Sequence, residues 1–208
     1  MNLKEVRLQG EIFPKVFYIG MGKTGSSSLF YGIKEPVAHW HDTEYFCRIH
    51  NNYSLILEKI NVYEFILDTC EDYGIEPIFI EAIRDPIAQR LSWYFQLFKN
   101  ATAKQVVHAM QNDNWTFELN HFIEGMDDQI EPIVLRYEDI DTWQMQLALH
   151  GITYEPIHTN KRNNPEYEKA KEMLKINEEK LSYIYNQPII HEYYSVDEVA
   201  KFIDRWTY

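Results

Sequence analysis

Cysteine is scarce in this chain. Its 208 residues hold only Cys47 and Cys70, at no metal-ligand spacing, so neither a disulfide framework nor a cysteine metal site is written into it. Two reduced thiols are the default, and the spacing alone leaves a disulfide open. Long apolar runs are missing too. No stretch reaches the ~20 apolar residues of a membrane-spanning helix. Met1 to Gln9 carries charges and no apolar core of a secretory signal, so the expectation is a cytoplasmic protein with no membrane span. Positive charge is in deficit: 20 Lys and Arg stand against 32 Asp and Glu, a net charge of −12. That excludes nonspecific nucleic-acid binding, which needs a basic surface, and any anionic ligand has to be met by a local basic cluster. Internal repeats and low-complexity tracts are absent. What remains is an ordinary globular balance in a length that suits one domain over residues 1–208.

Strand and helix patterns alternate along this chain, which predicts an α/β fold with a mostly parallel sheet flanked by helices. Val16 opens an apolar, aromatic run that reads as a buried strand, and Leu29, Phe30 and Ile33 follow at helical spacing. Glu35 to His41 reads as a short strand. Tyr53 to Tyr73 reads as helix, broken near Asn61 where Asn61 and Glu64 match a capping box, and stopped by Gly74. Pro77 to Ile83 is an apolar strand. Asp85-Pro86 then supplies an N-cap and a first helical residue for a helix to about Asn100. Ala101 to Gly125 is mostly helical in pattern and suits a lid or substrate wall. Glu131 to Arg136 reads as strand, Asp141 to His150 as a helix ended by Gly151, and Thr153 to Pro165 as loop. Glu166 to Ile176 and Glu178 to Tyr185 read as helices, and Ser195 with Glu198 caps a last helix ending near Trp206.

The stretch from Val16 to Leu29 carries the first chemistry. After its strand it breaks at Gly20 and Gly22, then delivers Lys23, Thr24, Gly25, Ser26, Ser27 and Ser28 ahead of a helix. Strand, Gly/Ser/Thr turn and helix start together make an anion cradle from backbone N–H groups, to which Lys23 adds a full charge. A P-loop NTPase motif requires a glycine five residues before the Gly-Lys pair, and Phe17 stands there. A serine-rich turn that merely caps a helix uses the same residues.

A second anchor runs from Ile83 to Tyr94. Arg84 stands at a strand's carboxyl end, and Ser92 lies eight residues on, about two turns into the next helix. A guanidinium and a hydroxyl so placed can share one phosphate, with Arg90 nearby. The plain alternative pairs Arg84 with Asp85 or Glu81 and leaves Ser92 on a helix surface.

These two stretches, in this order and each at a strand-to-helix junction, resemble the 5′-phosphosulfate loop and the 3′-phosphate segment of sulfotransferases. Gly22 stands where that loop usually has proline. Ile133 to Ile140, with Arg136-Tyr137-Glu138-Asp139, is similar to a further strand end of the same family, so the resemblance spans roughly Val16 to Ile140. Within the family the wording of both motifs is most similar to bacterial capsular-polysaccharide-synthesis and glycan sulfotransferase-like proteins. The resemblance implies a P-loop NTPase-like sulfotransferase fold and 3′-phosphoadenosine 5′-phosphosulfate (PAPS) as donor, with 3′-phosphoadenosine 5′-phosphate (PAP) as product and no metal. On it, Lys23 contacts the oxygen bridging sulfate and 5′-phosphate. Gly25, Ser26, Ser27 and Ser28 hold the 5′-phosphate, with Thr24 among the donor-binding residues, and Arg84 and Ser92 hold the 3′-phosphate. Lys161 and Arg162, in a late basic loop, match only by position a segment that closes over the 3′-phosphate in many family members. A solvated basic pair reads the same way. The implied acceptor is a hydroxyl of a glycan or small molecule. A P-loop-like kinase, or a non-catalytic polysaccharide-biosynthesis or nucleotide-binding protein of the same fold, is the alternative.

The base is sought in Ala38-His39-Trp40-His41-Asp42. In a strand over residues 36–41, His39 and His41 share a face at the sheet's carboxyl end. Imidazole, with an unperturbed pKa of about 6.5, suits proton removal near neutral pH. The pair also resembles a His-x-His segment of some glycan sulfotransferases. His41, nearer the strand end, is the preferred base and His39 its helper. A metal held with Asp42 or Glu44, and a hydrogen-bonded core role for His39, are the competing readings.

Overall fold

The structure, a computed structural model, describes residues 7–8, 10–20, 24–39, 59–112, 131–157 and 164–208, with the side chains of 59–63 left aside. Its centre is a sheet of four parallel strands: β3 (Val16–Tyr18), β4 (Val37–His39), β5 (Ile78–Ile83) and β6 (Ile133–Arg136), in the spatial order β4-β3-β5-β6. Tyr18 pairs with His39 on one side and Ile80 on the other, and Ile83 pairs with Arg136. The chain therefore steps from β3 outward to β4, then crosses back to β5 on the opposite side of β3. That reversal puts a topological switch point between the carboxyl ends of β3 and β5, where open α/β sheets take their ligands.

Ahead of the sheet, Arg7–Leu8 (β1) and Glu11–Ile12 (β2) form an antiparallel hairpin that the sequence pattern did not announce; Gly10 supplies its positive φ of 87°.

Helices cover both faces of the sheet because β3 alternates two apolar sets. Val16 and Tyr18 face α1 (Ser26–Gly32) and α5 (Trp143–Leu149), packing with Leu29, Ile80, Ala82, Trp143 and Leu147. Phe17 and Ile19 face α2 (Lys59–Tyr73) and pack with Ile66, Cys70 and Phe79. Burial raises the Cys70 thiol to about 11, which favours its protonated form. A third core joins Ile83 to α3 (Pro86–Leu97), α4 (Ala103–Asn112), α6 (Pro165–Met173), α7 (Glu178–Tyr185), α8 (Pro188–Tyr193) and α9 (Val196–Trp206). No helix among the described residues is long and apolar enough to cross a membrane.

Most element ends follow local chemistry. Asp85 accepts from the Ile87 N–H at 3.0 Å, with Pro86 in the first turn. Gly74 at φ 63° and Gly151 at φ 71° each close a helix, with Ile75 N–H on Cys70 O (2.8 Å) and Ile152 N–H on Leu147 O (3.0 Å). Other expectations need correction. The backbone of α2 is helical through Asn61, so the break and the Asn61–Glu64 capping box are not there. Helix α3 stops at Leu97, where Phe98 leaves helical geometry, rather than at Asn100. The helix expected over Asp141–His150 is present as α5, Trp143–Leu149, but it is entered through a 3₁₀ segment, Tyr137–Thr142. Pro165 is the first residue of α6 rather than the end of a loop, and α8 was not foreseen. Residues 113–125 of the expected lid lie outside the described residues.

Candidate functional site

The loop after β3 is packed tightly against its neighbours. Ile19 N–H still bonds Ile80 O at 2.9 Å. At Gly20 an added Cβ would stand 2.8 Å from the Ala82 nitrogen, a backbone approach only glycine allows. Lys23, with Met21 and Gly22, lies outside the described residues. The Thr24 side chain is buried and turned inward, its hydroxyl 2.6 Å from the Tyr18 hydroxyl. Burial, only partly offset by the Thr24 bond, pushes the Tyr18 phenol well above its ordinary range, so it acts as a neutral hydrogen-bonding group.

Gly25 adopts φ 100°, ψ 10° at the start of α1, a left-handed conformation that costs glycine little. A Cβ there would meet Trp143 Cη2 at 2.6 Å and Tyr137 Cδ2 at 3.1 Å. Ser26 and Ser27 are half-buried and Ser28 is buried, and Leu29 N–H to Gly25 O, 3.1 Å, is the helix's first bond. The N–H groups of Ser26, Ser27 and Ser28 precede that bond and have no acceptor within the helix.

Arg84 leaves the end of β5, the strand beside β3. Its guanidinium carbon lies 4.3 Å from the centre of the Tyr137 ring, and Nη2 donates to the Tyr167 hydroxyl at 3.0 Å. A Cβ on Gly25 would thus crowd the Tyr137 ring, whose face Arg84 covers. The two segments expected to bind phosphates stand one aromatic ring apart, at the switch point. Asp85 is not the ionic partner of Arg84. Buried, it accepts from Tyr185 (2.6 Å), Trp206 Nε1 (2.9 Å) and Ile87 N–H, while its own N–H goes to Glu138 Oε1 at 2.8 Å. Ser92 is half-buried two turns along α3, and the Arg90 guanidinium lies over the Tyr94 ring, a turn further from Arg84.

His39 ends β4 opposite Tyr18, and the two rings lie 4.8 Å apart, tilted by 43°. It is half-buried, on the same face and at the same end of the sheet as the Tyr18–Thr24 bond. His41, Lys161 and Arg162 lie outside the described residues, as do Asp42 and Glu44.

The segment after β6 scaffolds this end of the sheet. Arg136 binds Asp139 (2.6 Å) and Glu198 (2.8 Å), two carboxylates that raise its pKa further, and donates to Tyr193 O, while Glu138 Oε2 accepts from Tyr194. Trp143 Nε1 donates to Arg136 O at 2.8 Å, seating the ring that a Cβ on Gly25 would strike. Sequence reasoning missed Tyr137 and Tyr167 among fifteen tyrosines. Tyr137 carried a usable signal, since it directly follows a parallel strand. Tyr167 carried none, standing 83 residues from its Arg84 partner.

A cavity of about 490 Å³ opens at the other end of α3, lined by Tyr94, Phe98, Ala101 and Val106 among others, and takes in none of these groups. Compared with known proteins, the chain matches no family model, no curated protein and no solved structure.

Proposed function

We propose that this protein is a PAPS-dependent sulfotransferase of the P-loop-like fold, acting on a hydroxyl of a glycan or small molecule. The observation that carries the reading is that the Gly25 loop comes up to the same ring, Tyr137, whose face Arg84 covers, at the sheet's switch point. Two anion-binding groups at that separation fit a ligand with two phosphates, and the chain's deficit of positive charge elsewhere makes a local cluster the natural place for one.

In this reading the acceptor oxygen attacks sulfur as the bond from sulfur to the 5′-phosphate oxygen breaks, and PAP leaves with that electron pair. Lys23 stabilises the charge growing on the leaving oxygen, where fixed electrostatics act most strongly. The first-turn N–H groups of α1 hold the 5′-phosphate and Arg84, with Ser92, the 3′-phosphate. The acceptor's proton passes to His41, or to His39 on the Tyr18 ring.

Titration calorimetry with PAP, AMP and ATP tests the nucleotide assignment. A charged hydrogen bond contributes roughly 1.5–3 kcal/mol, so PAP is expected to bind at least tenfold more tightly than AMP. Equal affinities would remove the assignment of Arg84. Lys23→Ala is expected to lower turnover by about two to three orders of magnitude while changing PAP affinity less. Unchanged turnover would reduce Lys23 to a structural residue.

A further inference from the structure

Resting on that donor reading, we propose that the Tyr167 hydroxyl is itself a ligand of the anion held by Arg84, donating its own proton to a phosphate monoester. A guanidinium only donates, so in the 3.0 Å Arg84–Tyr167 bond the phenol oxygen is the acceptor. Its hydrogen then points to another partner, and accepting from a cation polarises the O–H and strengthens it as a donor. Hydroxyl and guanidinium side by side make a two-donor notch whose chemical complement is an oxyanion.

The notch is held in place from several sides. Asn164 caps α6 by accepting from the Glu166 N–H at 3.1 Å, and Glu166 Oε2 accepts the Ala103 N–H at 2.8 Å, tying the first turn of α6 to α4. The Tyr167 ring packs edge-on against Phe95 at 5.7 Å. The Lys171 ammonium lies 5.5 Å from the ring centre, a second cation at the same tyrosine. Arg84 is fixed in turn by the Tyr137 ring beneath it. A group so positioned offers its donor with little ordering cost on binding. On the donor reading the phosphate bound here is the one at the 3′ position, since the 5′-phosphate is assigned to the Gly25 loop.

Calorimetry on Tyr167→Phe tests this, because the change keeps the ring and its packing and removes one oxygen. The variant is expected to lose about tenfold in PAP affinity with AMP affinity held within about twofold. In wild-type protein labelled at tyrosine Cζ, the carbon resonance that disappears in Tyr167→Phe is expected to shift on adding PAP and to stay on adding AMP. A merely structural tyrosine would not respond in that way. Retained PAP affinity, an equal loss of PAP and AMP, or an unmoved Tyr167 resonance would each overturn the assignment. Wild-type protein that binds PAP and AMP alike would overturn the donor reading beneath it as well.

Discussion

At the residue scale, Gly25 shows why the loop has its composition. Its φ of 100° lies where a Cβ is disfavoured, and that Cβ would fall 2.6 Å from the buried Trp143 ring. Trp143 is anchored by its bond to Arg136 O and cannot give way cheaply. Gly25→Ala therefore combines backbone strain, of order 1–3 kcal/mol, with overpacking of similar size. A stability loss of about 2–4 kcal/mol is expected by urea denaturation, with PAP binding weakened in the fraction that remains folded. A variant as stable as wild type would mean that the loop relaxes away from Trp143. The turn at Gly25 and the helix start at the serines were legible in the sequence because turn chemistry is local. The inward rotation of Thr24 was not, because it depends on Tyr18, whose phenol faces the loop only once the strand is in the sheet.

At the scale of elements, ends were read better than interiors. Asp85-Pro86, Gly74, Gly151 and the Ser195–Glu198 box act within one turn, and each works as expected. The supposed break at Asn61 failed because the capping signal lost to a continuous apolar row, including Ile66 and Cys70, that packs on the sheet. The last helix offers a pH test. Glu198 accepts from the Ser195 N–H and hydroxyl and from Arg136, and these, Arg136 first, hold its carboxyl down to about 2. A depressed folded-state pKa stabilises the protein above the unfolded carboxyl value of about 4.3 and loses that contribution as pH falls toward 2. Urea midpoints are expected to fall across that window in wild type, and to fall less in Glu198→Gln. Partial exposure of the pair limits the gain, so Glu198→Ala at pH 7 is expected to cost about 1–2 kcal/mol, cap included. Parallel pH profiles for wild type and Glu198→Gln would show that Arg136 does not depend on this carboxylate.

At the scale of the whole molecule, the chain's last helices are wired into the residue next to Arg84. Asp85 is buried at the junction of β5 and α3, and its two oxygens take hydrogen bonds from Tyr185 of α7 and Trp206 of α9, across 100 and 121 residues. Nothing in the sequence around Asp85 pointed to either, since its N-cap role was already a sufficient local reason for an aspartate. Burial, with Asp85 and Glu138 nearby, drives the Tyr185 phenol well above its ordinary range, so it remains a donor throughout the working pH range. Tyr185→Phe removes that donor at nearly constant shape and leaves a buried carboxylate with one bond fewer, a cost of about 1.5–3 kcal/mol. Because the C-terminal helices and Ile83 share one core, the loss is expected to shift a single cooperative urea transition, followed by both tryptophan fluorescence and far-ultraviolet circular dichroism, with an unchanged slope. Two separated transitions, or a sheet midpoint that does not move, would mean that the helices after Asn164 unfold on their own. The strand end bearing Arg84 would then owe its position to the sheet and to Tyr137 alone.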